Sequence, residues 1–217
     1  MAISDRKLRE KEDLKKKILE AAKSIFFEKG YDATSMRNIA ERVEFSPTTL
    51  YLYYKDKNDI VYALHQEGFK LLAQQFKVIA NVEHPFERLK AMGRIYFNFA
   101  EENSDFYELM FVRQGPIIHV QKHNHDDWEE GSRTYNILYE TILDCQKAGY
   151  FVNEKPHGLA LIIWSTLHGM CMLHMHTRLD CVKFEDENDD DADKSKPEYI
   201  YETFIGFIER LKLISKK

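Results

Sequence analysis

Hydrophobic residues recur every three or four positions along most of this chain of 217 residues, which is the spacing of one face of an α-helix. Strict alternation of hydrophobic and polar residues, the pattern of a half-buried strand, is nearly absent. Glycine and proline are scarce, with 9 and 5 copies, and several of them stand where one periodic segment ends and another begins. The pattern therefore predicts an all-α protein of about nine helices.

Residues 34–57 hold two short helical patterns with a tight turn between them. Ser46 suits the N-cap of the second helix, and Pro47 suits its first position because the missing N–H would have no partner there. This second helix, predicted over 47–54, is only about two turns long and carries hydroxyl groups and a base. Such a pair is typical of a helix-turn-helix, whose second helix enters a major groove of DNA.

The same stretch resembles the DNA-binding domain of TetR-family transcriptional regulators, over about residues 13–65. The residues that carry the resemblance are Thr34, Ile39-Ala40, the run Leu50-Tyr51-Leu52-Tyr53-Tyr54, and Lys57. The chain departs from the family at Glu44, where a glycine is usual. If the backbone there requires a positive φ, glutamate costs on the order of 1 kcal/mol. We expect its carboxylate to point away from DNA.

Geometry and this resemblance together predict the DNA-binding residues. The N-terminal end of the second short helix meets base edges, and tyrosine and lysine side chains donate to phosphates. The predicted residues are Arg37, Ser46, Pro47, Thr48, Thr49, Tyr51, Tyr53 and Lys57. Leu50 and Tyr54 are predicted to belong to the core. The alternative for the tyrosines is that they pack the domain while the hydroxyls face water.

Two domains follow from the periodicity and the resemblance. Residues 1–56 form the helix-turn-helix domain, with helix 1 over about 13–29 behind a charged tail, residues 1–12, which is either disordered or an arm that touches DNA. Residues 57–217 form a helical domain for effector binding and dimerisation. Helix 4, predicted over 57–80 after a cap at Asp56, links the two. Helix 5 is predicted over about 85–102, and helix 6 begins at Ser104. Helix 7 is predicted over about 127–148 and helix 8 over about 156–178, and helix 9 begins at Pro197.

The second domain is rich in aromatic and methionine residues, as small-molecule sites between helices often are. In the TetR family the equivalent domain binds an effector, and the run Trp164 to Gly169 resembles a Trp-x-x-x-His-Gly sequence found in some members. The predicted ligand-binding residues are Tyr96, Phe99, Phe106, Met110, Phe111, Tyr135, Tyr139, Trp164 and His168. Ordinary core packing is the alternative for each of them.

Charge is distributed unevenly. The chain carries a net charge of −5, with +3 over residues 1–80 and −8 over residues 81–217. The basic N-terminal part is compatible with contacts to phosphates, so nucleic acid is expected at that end. The acidic run 185–193 is predicted to be a mobile loop.

The three cysteines show no CxxC spacing, which favours a reducing compartment and free or buried thiols over a disulfide framework. The N-terminus is polar and charged, unlike a secretion signal, and we expect a cytoplasmic protein. No phosphate loop, nucleophile elbow or paired carboxylates are visible. The sequence therefore predicts neither an enzyme nor a bound cofactor.

A polar connection before helix 7 holds possible metal ligands, namely His119, His123, His125 and Asp126. Their spacing is not specific and no cysteine joins them, so no metal site is predicted. A metal-responsive regulator that uses this loop remains an alternative function.

Helix 8 raises a third hypothesis, because residues 156–177 contain no formally charged residue and are long enough to cross a membrane. The segment also holds four histidines and several hydroxyl groups, which are costly in lipid. We therefore expect a buried interface helix and no membrane contact. Helices 8 and 9 are predicted to pair with their copies in a four-helix bundle, forming a homodimer.

The predicted function is a DNA-binding regulator, a repressor that binds a near-palindromic operator as a dimer and is released by a small, largely apolar effector. A two-fold dimer would place its recognition helices in successive major grooves, about 34–36 Å apart or slightly more. A membrane-associated helical protein is the remaining alternative.

Overall fold

The computed structural model describes residues 2–112, 128–182 and 195–214. Within these ranges the regular structure is helical and contains no strand, so the all-α prediction is confirmed. The helices are α1 (Ala2–Lys29), α2 (Met36–Arg42), α3 (Pro47–Tyr51), α4 (Lys57–Val78), α5 (Pro85–Glu102), α6 (Ser104–Phe111), α7 (Glu129–Lys147), α8 (Pro156–Met175) and α9 (Lys196–Ile214). A 3₁₀ turn, Arg178–Cys181, follows α8.

Most helix ends lie where the sequence placed them, because local chemistry sets them. Pro85 and Pro156 begin α5 and α8. Asp56 caps α4 by accepting the N–H of Asp59 at 2.9 Å. Gly30 and Gly149 follow α1 and α7 with φ values of +80° and +86°, a conformation that glycine adopts without strain.

Two boundaries were predicted wrongly. The helix α1 begins at Ala2, so residues 2–12 are helical rather than an irregular tail. The prediction relied on apolar periodicity, which starts only near Leu14, whereas i,i+4 pairs such as Arg6 with Glu10 (2.7 Å) also support a helix. The helix α3 ends at Tyr51 instead of residue 54.

The chain forms two compact units, which we call the first and second units. The first contains residues 2–68, 105–112 and 128 of the described chain, and the second contains residues 69–104, 129–182 and 195–214. The helix α4 thus contributes to both, and α6 from Asp105 onwards belongs to the first. The predicted domain boundary at residue 56 does not coincide with this division.

The first unit has its own hydrophobic core, to which α1, α2, α3 and the first half of α4 contribute. Its fully or nearly fully buried aliphatic side chains include Ile18, Ile25, Ile39, Leu50, Ile60 and Leu64. The helix α6 packs on α4 at Gly68, where a Cβ atom would lie only 2.6 Å from the Sδ atom of Met110. The ammonium group of Lys23 on α1 lies 4.0 Å from the centre of the Phe106 ring.

The second unit is arranged around α5, which packs against α7, α8 and α9. Close approach to α9 requires glycine at position 93, since a Cβ atom there would lie 2.6 Å from the Phe204 ring. Beside it, the guanidinium of Arg94 donates two hydrogen bonds to Glu198, at 2.8 and 2.6 Å. The close packing of Phe204 on Gly93 and the ion pair of Arg94 with Glu198 therefore hold α9 against α5.

Several predictions concern residues outside the described part of the chain. These are the acidic run 185–193 and the possible metal ligands His119, His123, His125 and Asp126. Among the residues that the structure does describe, no group of three or more His, Cys, Asp or Glu side chains is arranged to hold a metal ion.

The helix α8 is long and apolar enough to cross a membrane by length and composition, the one such helix in the described chain. Core helices of soluble proteins have the same composition. One side of α8 is buried within the second unit, through Leu159, Ala160, Ile163, Leu167 and Cys171. Its composition is therefore explained in part by packing.

Candidate nucleic-acid interface

The first helix of the pair, α2, is capped by Ser35. The Ser35 hydroxyl accepts the N–H of Asn38 at 3.2 Å, and the Asn38 side chain accepts the N–H of Ser35 at 3.0 Å. Thr34 is one of the residues that carry the resemblance to the TetR family. It is buried, and its hydroxyl donates a hydrogen bond to the Gly30 carbonyl at 2.8 Å. Thr34 thus ties the start of α2 to the end of α1.

The turn after α2 explains why glycine is usual at position 44. The N–H of Phe45 donates to the Ala40 carbonyl at 3.0 Å, and the N–H of Glu44 donates to the Glu41 carbonyl at 3.3 Å. These two bonds form a Schellman motif, which requires a left-handed residue just after the helix. Glu44 occupies that position with φ of +60°, and its side chain is exposed. The turn keeps the usual geometry, with strain at one non-glycine residue.

The second helix, α3, is held in place by its cap and by two buried side chains. The Ser46 hydroxyl accepts the N–H of Thr49 at 3.1 Å, and Pro47 occupies the first helical position. Leu50 and Tyr54 are 0% and 3% exposed, which confirms their assignment to the core. The Leu50 carbonyl accepts from the N–H groups of both Tyr53 and Tyr54, at 2.9 and 3.0 Å, as the helix ends.

Most of the predicted DNA-binding side chains are accessible. The exposed members are Arg37, Ser46, Pro47, Thr48 and Tyr51, and the half-buried members are Thr49, Tyr53 and Lys57. The Arg37 side chain is 81% exposed and forms an ion pair with Glu41 at 2.9 Å on the same helix. Such an exposed pair contributes little to stability and can be exchanged for a phosphate or a base.

Lys57 has a structural contact that the sequence did not reveal. Its ammonium group donates to the carbonyls of Tyr31 and Thr34, at 2.7 and 2.9 Å, and lies 3.9 Å from the centre of the Tyr31 ring. Lys57 therefore ties the loop between α1 and α2 to the start of α4. With two of its three hydrogens directed at carbonyls, at most one is left for a phosphate oxygen.

A second contact missed from the sequence locks α2 onto α1. The Arg42 guanidinium donates to Glu28 at 3.2 and 2.9 Å and to the Ser24 hydroxyl at 2.9 Å. The hydrogen bond from Arg42, followed by that from Ser24, lowers the pKa of the Glu28 carboxyl to about 2. Glu28 and Arg42 are 14 positions apart in the chain, so helical spacing alone could not have paired them.

In the second unit, three of the predicted effector-binding residues form a hydrogen-bonded chain. The indole N–H of Trp164 donates to the Tyr96 hydroxyl at 3.1 Å, and that hydroxyl lies 3.1 Å from Nδ1 of His168. Because the indole nitrogen can only donate, the Tyr96 hydroxyl accepts a hydrogen bond from it. The same hydroxyl can donate its own hydrogen bond to Nδ1 of His168. Burial lowers the pKa of His168, so its ring is neutral at pH 7.

These three side chains adjoin a group of aromatic rings that includes His157, a residue not predicted from the sequence to bind an effector. The Tyr135 ring lies 6.4 Å from Trp164, and its hydroxyl lies 3.0 Å from Nδ1 of His157. The His157 ring in turn stacks on Tyr139, with centroids 4.2 Å apart. His157 is exposed, whereas Tyr96 is 7% exposed, so the cluster runs from the surface to the interior of this unit.

The other predicted effector-binding residues lie elsewhere. Phe99 is fully buried in the second unit. Phe106, Met110 and Phe111 belong to the first unit, where Phe106 and Met110 pack against Gly68. A role in effector binding stays a prediction for all nine residues.

Comparison with known proteins identifies both parts of the chain. The model for bacterial regulatory proteins of the tetR family matches residues 18–64, and that for the tetracycline repressor-like C-terminal domain matches residues 89–192. A helix-turn-helix transcriptional regulator of a bovine Staphylococcus aureus strain is 33% identical over 172 residues, covering 78% of this chain and 88% of that protein. The chain belongs to the TetR family.

Other regulators are similar to this chain in sequence or fold. The regulator HbdR of Aromatoleum sp. (strain CIB) is 24% identical over 75% of this chain and 71% of its own length. The structure of the fatty acid degradation regulator FadR from Bacillus halodurans matches with a TM-score of 0.67 at 16% identity, covering 89% of this chain and 93% of that one. The structure of a putative TetR-family regulator from Syntrophomonas wolfei matches with a TM-score of 0.69 at 22% identity, covering 93% of this chain and 96% of that one. The protein is therefore a helix-turn-helix transcriptional regulator.

Replacing Glu44 with glycine should stabilise this TetR-family protein, because glycine adopts the left-handed conformation without strain. We expect Glu44→Gly to raise the free energy of unfolding by up to about 1 kcal/mol, measured by urea denaturation. Glu44→Ala is the matched control, since it removes the carboxylate and keeps the Cβ atom. Equal stabilisation by both variants would show that charge, not backbone conformation, sets the cost.

Proposed function

We propose that this TetR-family regulator is a cytoplasmic repressor that binds a near-palindromic operator as a homodimer and is released by a small, largely apolar effector. The observation that supports DNA recognition most directly is the division of α3 into two faces. Leu50 is fully buried, while Thr48 and Tyr51 are exposed on other sides of the same short helix. A helix that exposes hydroxyl groups and is anchored from behind suits insertion into a major groove.

The two ends of α3 suit different contacts. Ser46, Pro47 and Thr48 lie at the N-terminal end, which meets base edges in helix-turn-helix proteins. Tyr51 and Tyr53 follow at the C-terminal end, where phenol hydroxyls donate well to phosphates. Arg37, on the exposed side of α2, can reach a guanine edge or a phosphate.

This division of roles predicts two classes of variant. Tyr51→Phe removes one phosphate donor and should weaken binding to every duplex by a similar factor, about fivefold. Thr48→Ala and Arg37→Ala should instead change the preferred sequence. Selection of duplexes from a random library, followed by affinity measurements, distinguishes the classes.

Lys57→Ala should behave like Tyr51→Phe in DNA binding, but it also removes two hydrogen bonds to carbonyls. Its folded fraction must therefore be measured alongside its affinity. If all four variants selected the same sequence with the same relative affinities, the division of roles would be wrong.

The proposal of a homodimer rests on the exposed side of α8. Leu161 and Leu173 are 56% and 47% exposed, and Ser165 and Gly169 lie between them at four-residue intervals. These four residues form one stripe along the helix, apolar at its ends and small at its centre. A Cβ atom on Gly169 would meet nothing within 4 Å, so a second helix has room to approach. Pairing of α8 and α9 with their copies would cover this stripe.

Charge on this stripe should therefore dissociate the dimer. We expect the double variant Leu161→Glu, Leu173→Glu to be monomeric by sedimentation velocity and to bind the operator about a hundredfold more weakly, because the two half-sites are no longer linked. Val152→Glu, at a residue 53% exposed elsewhere in the second unit, is the control and should stay dimeric. A dimeric double variant would contradict the proposed interface.

The effector site is proposed at the aromatic cluster of Tyr96, Trp164 and His168 on α5 and α8, continued by Tyr135 and Tyr139 on α7. Apolar rings with a few convergent polar groups are typical of small-molecule sites. A ligand held there can act on DNA binding through α4, the helix that contributes to both units. The ligand needs only to bind more tightly to a conformation in which the spacing of the two recognition helices does not fit the operator. A difference of about 3 kcal/mol between the two conformations changes the affinity for DNA more than a hundredfold.

A library of small apolar compounds, screened for release of a fluorescent operator, tests this site. We expect an active compound to lose most of its effect on Tyr96→Phe, which breaks the hydrogen-bonded chain to His168. Tyr150→Phe is the control, because the Tyr150 hydroxyl bonds His84 at 3.1 Å outside the cluster. A compound that binds the protein and leaves operator affinity unchanged would contradict the mechanism.

A further inference from the structure

Leu52, directly after α3, is an apolar side chain on the proposed DNA-facing surface. It is 75% exposed, although the neighbouring Leu50 is completely buried. A single exposed leucine usually has no functional meaning, because much of any protein surface is apolar. Leu52 differs because of the row of side chains to which it belongs.

The backbone of Leu52 continues the helix. Its φ and ψ angles are −74° and −17°, in the right-handed helical region, and its N–H donates to the Thr49 carbonyl at 3.2 Å. Residues four apart on a helix lie above one another on the same face, so Leu52 follows Thr48 in one row. Leu50, about 200° away around the axis from both, lies on the opposite, buried side.

The two side chains of this row, Thr48 and Leu52, differ in their ability to form hydrogen bonds. Thr48 carries a hydroxyl group as well as a methyl group, whereas Leu52 has no atom that donates or accepts a hydrogen bond. Tyr51 and Tyr53, on either side of it, carry the hydroxyls proposed to contact phosphates. If α3 enters a major groove, the contact that suits the Leu52 side chain is one with an apolar group of the DNA.

The major groove presents one such group, the 5-methyl of thymine, among hydrogen-bond donors and acceptors. We propose that Leu52 is a specificity-determining residue that packs against a thymine 5-methyl group in each half-site of the operator. The inference rests on the proposed use of α3 as the recognition helix. It adds a base preference that comes from apolar contact rather than hydrogen bonding.

The test replaces thymine with deoxyuridine, which lacks only the methyl group. The probe is the tightest duplex that the wild-type protein selects from a random library, with each thymine of one half-site replaced in turn. At one position we expect wild-type affinity to fall about threefold to fivefold, the factor for one apolar carbon group withdrawn from water.

Leu52→Ala should bind the original duplex more weakly by a similar factor and lose nothing further at that same uracil position. Val152→Ala, an exposed apolar residue of the second unit, should respond to uracil as the wild type does. Because Leu52 is mostly exposed, the alanine variant should remain folded, which circular dichroism checks.

Two outcomes would overturn the inference while leaving DNA recognition by α3 intact. In the first, no single uracil weakens wild-type binding. In the second, the same uracil weakens the wild type and Leu52→Ala equally. A wild-type protein that selects no specific duplex would instead refute the proposed function, and this inference with it.

Discussion

The structure depends first on the burial of Leu50 and Tyr54, because α3 is too short to be helical alone. A helix of five residues gains few backbone hydrogen bonds for the residues that it orders, so tertiary contacts must stabilise it. These two side chains supply such contacts and determine which side of α3 faces outwards. The exposure of Thr48, Tyr51 and Leu52 is a consequence of where the anchors lie.

Three cations near this helix pair already have partners within the protein. Lys57 bonds two carbonyls, Arg42 bonds Glu28, and Arg37 pairs with Glu41. Together with a net charge of only +3 over residues 1–80, this leaves modest attraction for phosphates. In the proposed function, neutral hydroxyl donors and the pairing of two copies would therefore supply much of the DNA affinity.

In the second unit, α5 contributes both to tight helix packing and to a polar cluster. Gly93 and Arg94 seat α9, while Tyr96 joins Trp164 and His168 through hydrogen bonds. Residues for stability and for the proposed effector thus share one helix. A ligand at the proposed site would therefore contact an element against which α7, α8 and α9 pack.

The sequence by itself determined the helical fold and most helix ends, because periodicity, capping residues and prolines act over a few neighbouring positions. The family was indicated by the resemblance of the motif residues between Thr34 and Lys57. The sequence also identified Leu50 and Tyr54 as core. Only the tertiary structure decided that Lys57 ties a loop to α4, that His157 joins the aromatic cluster, and that Phe106 packs in the first unit. These contacts join residues far apart in the chain, and residue type alone does not specify which aromatic or charged side chains will meet.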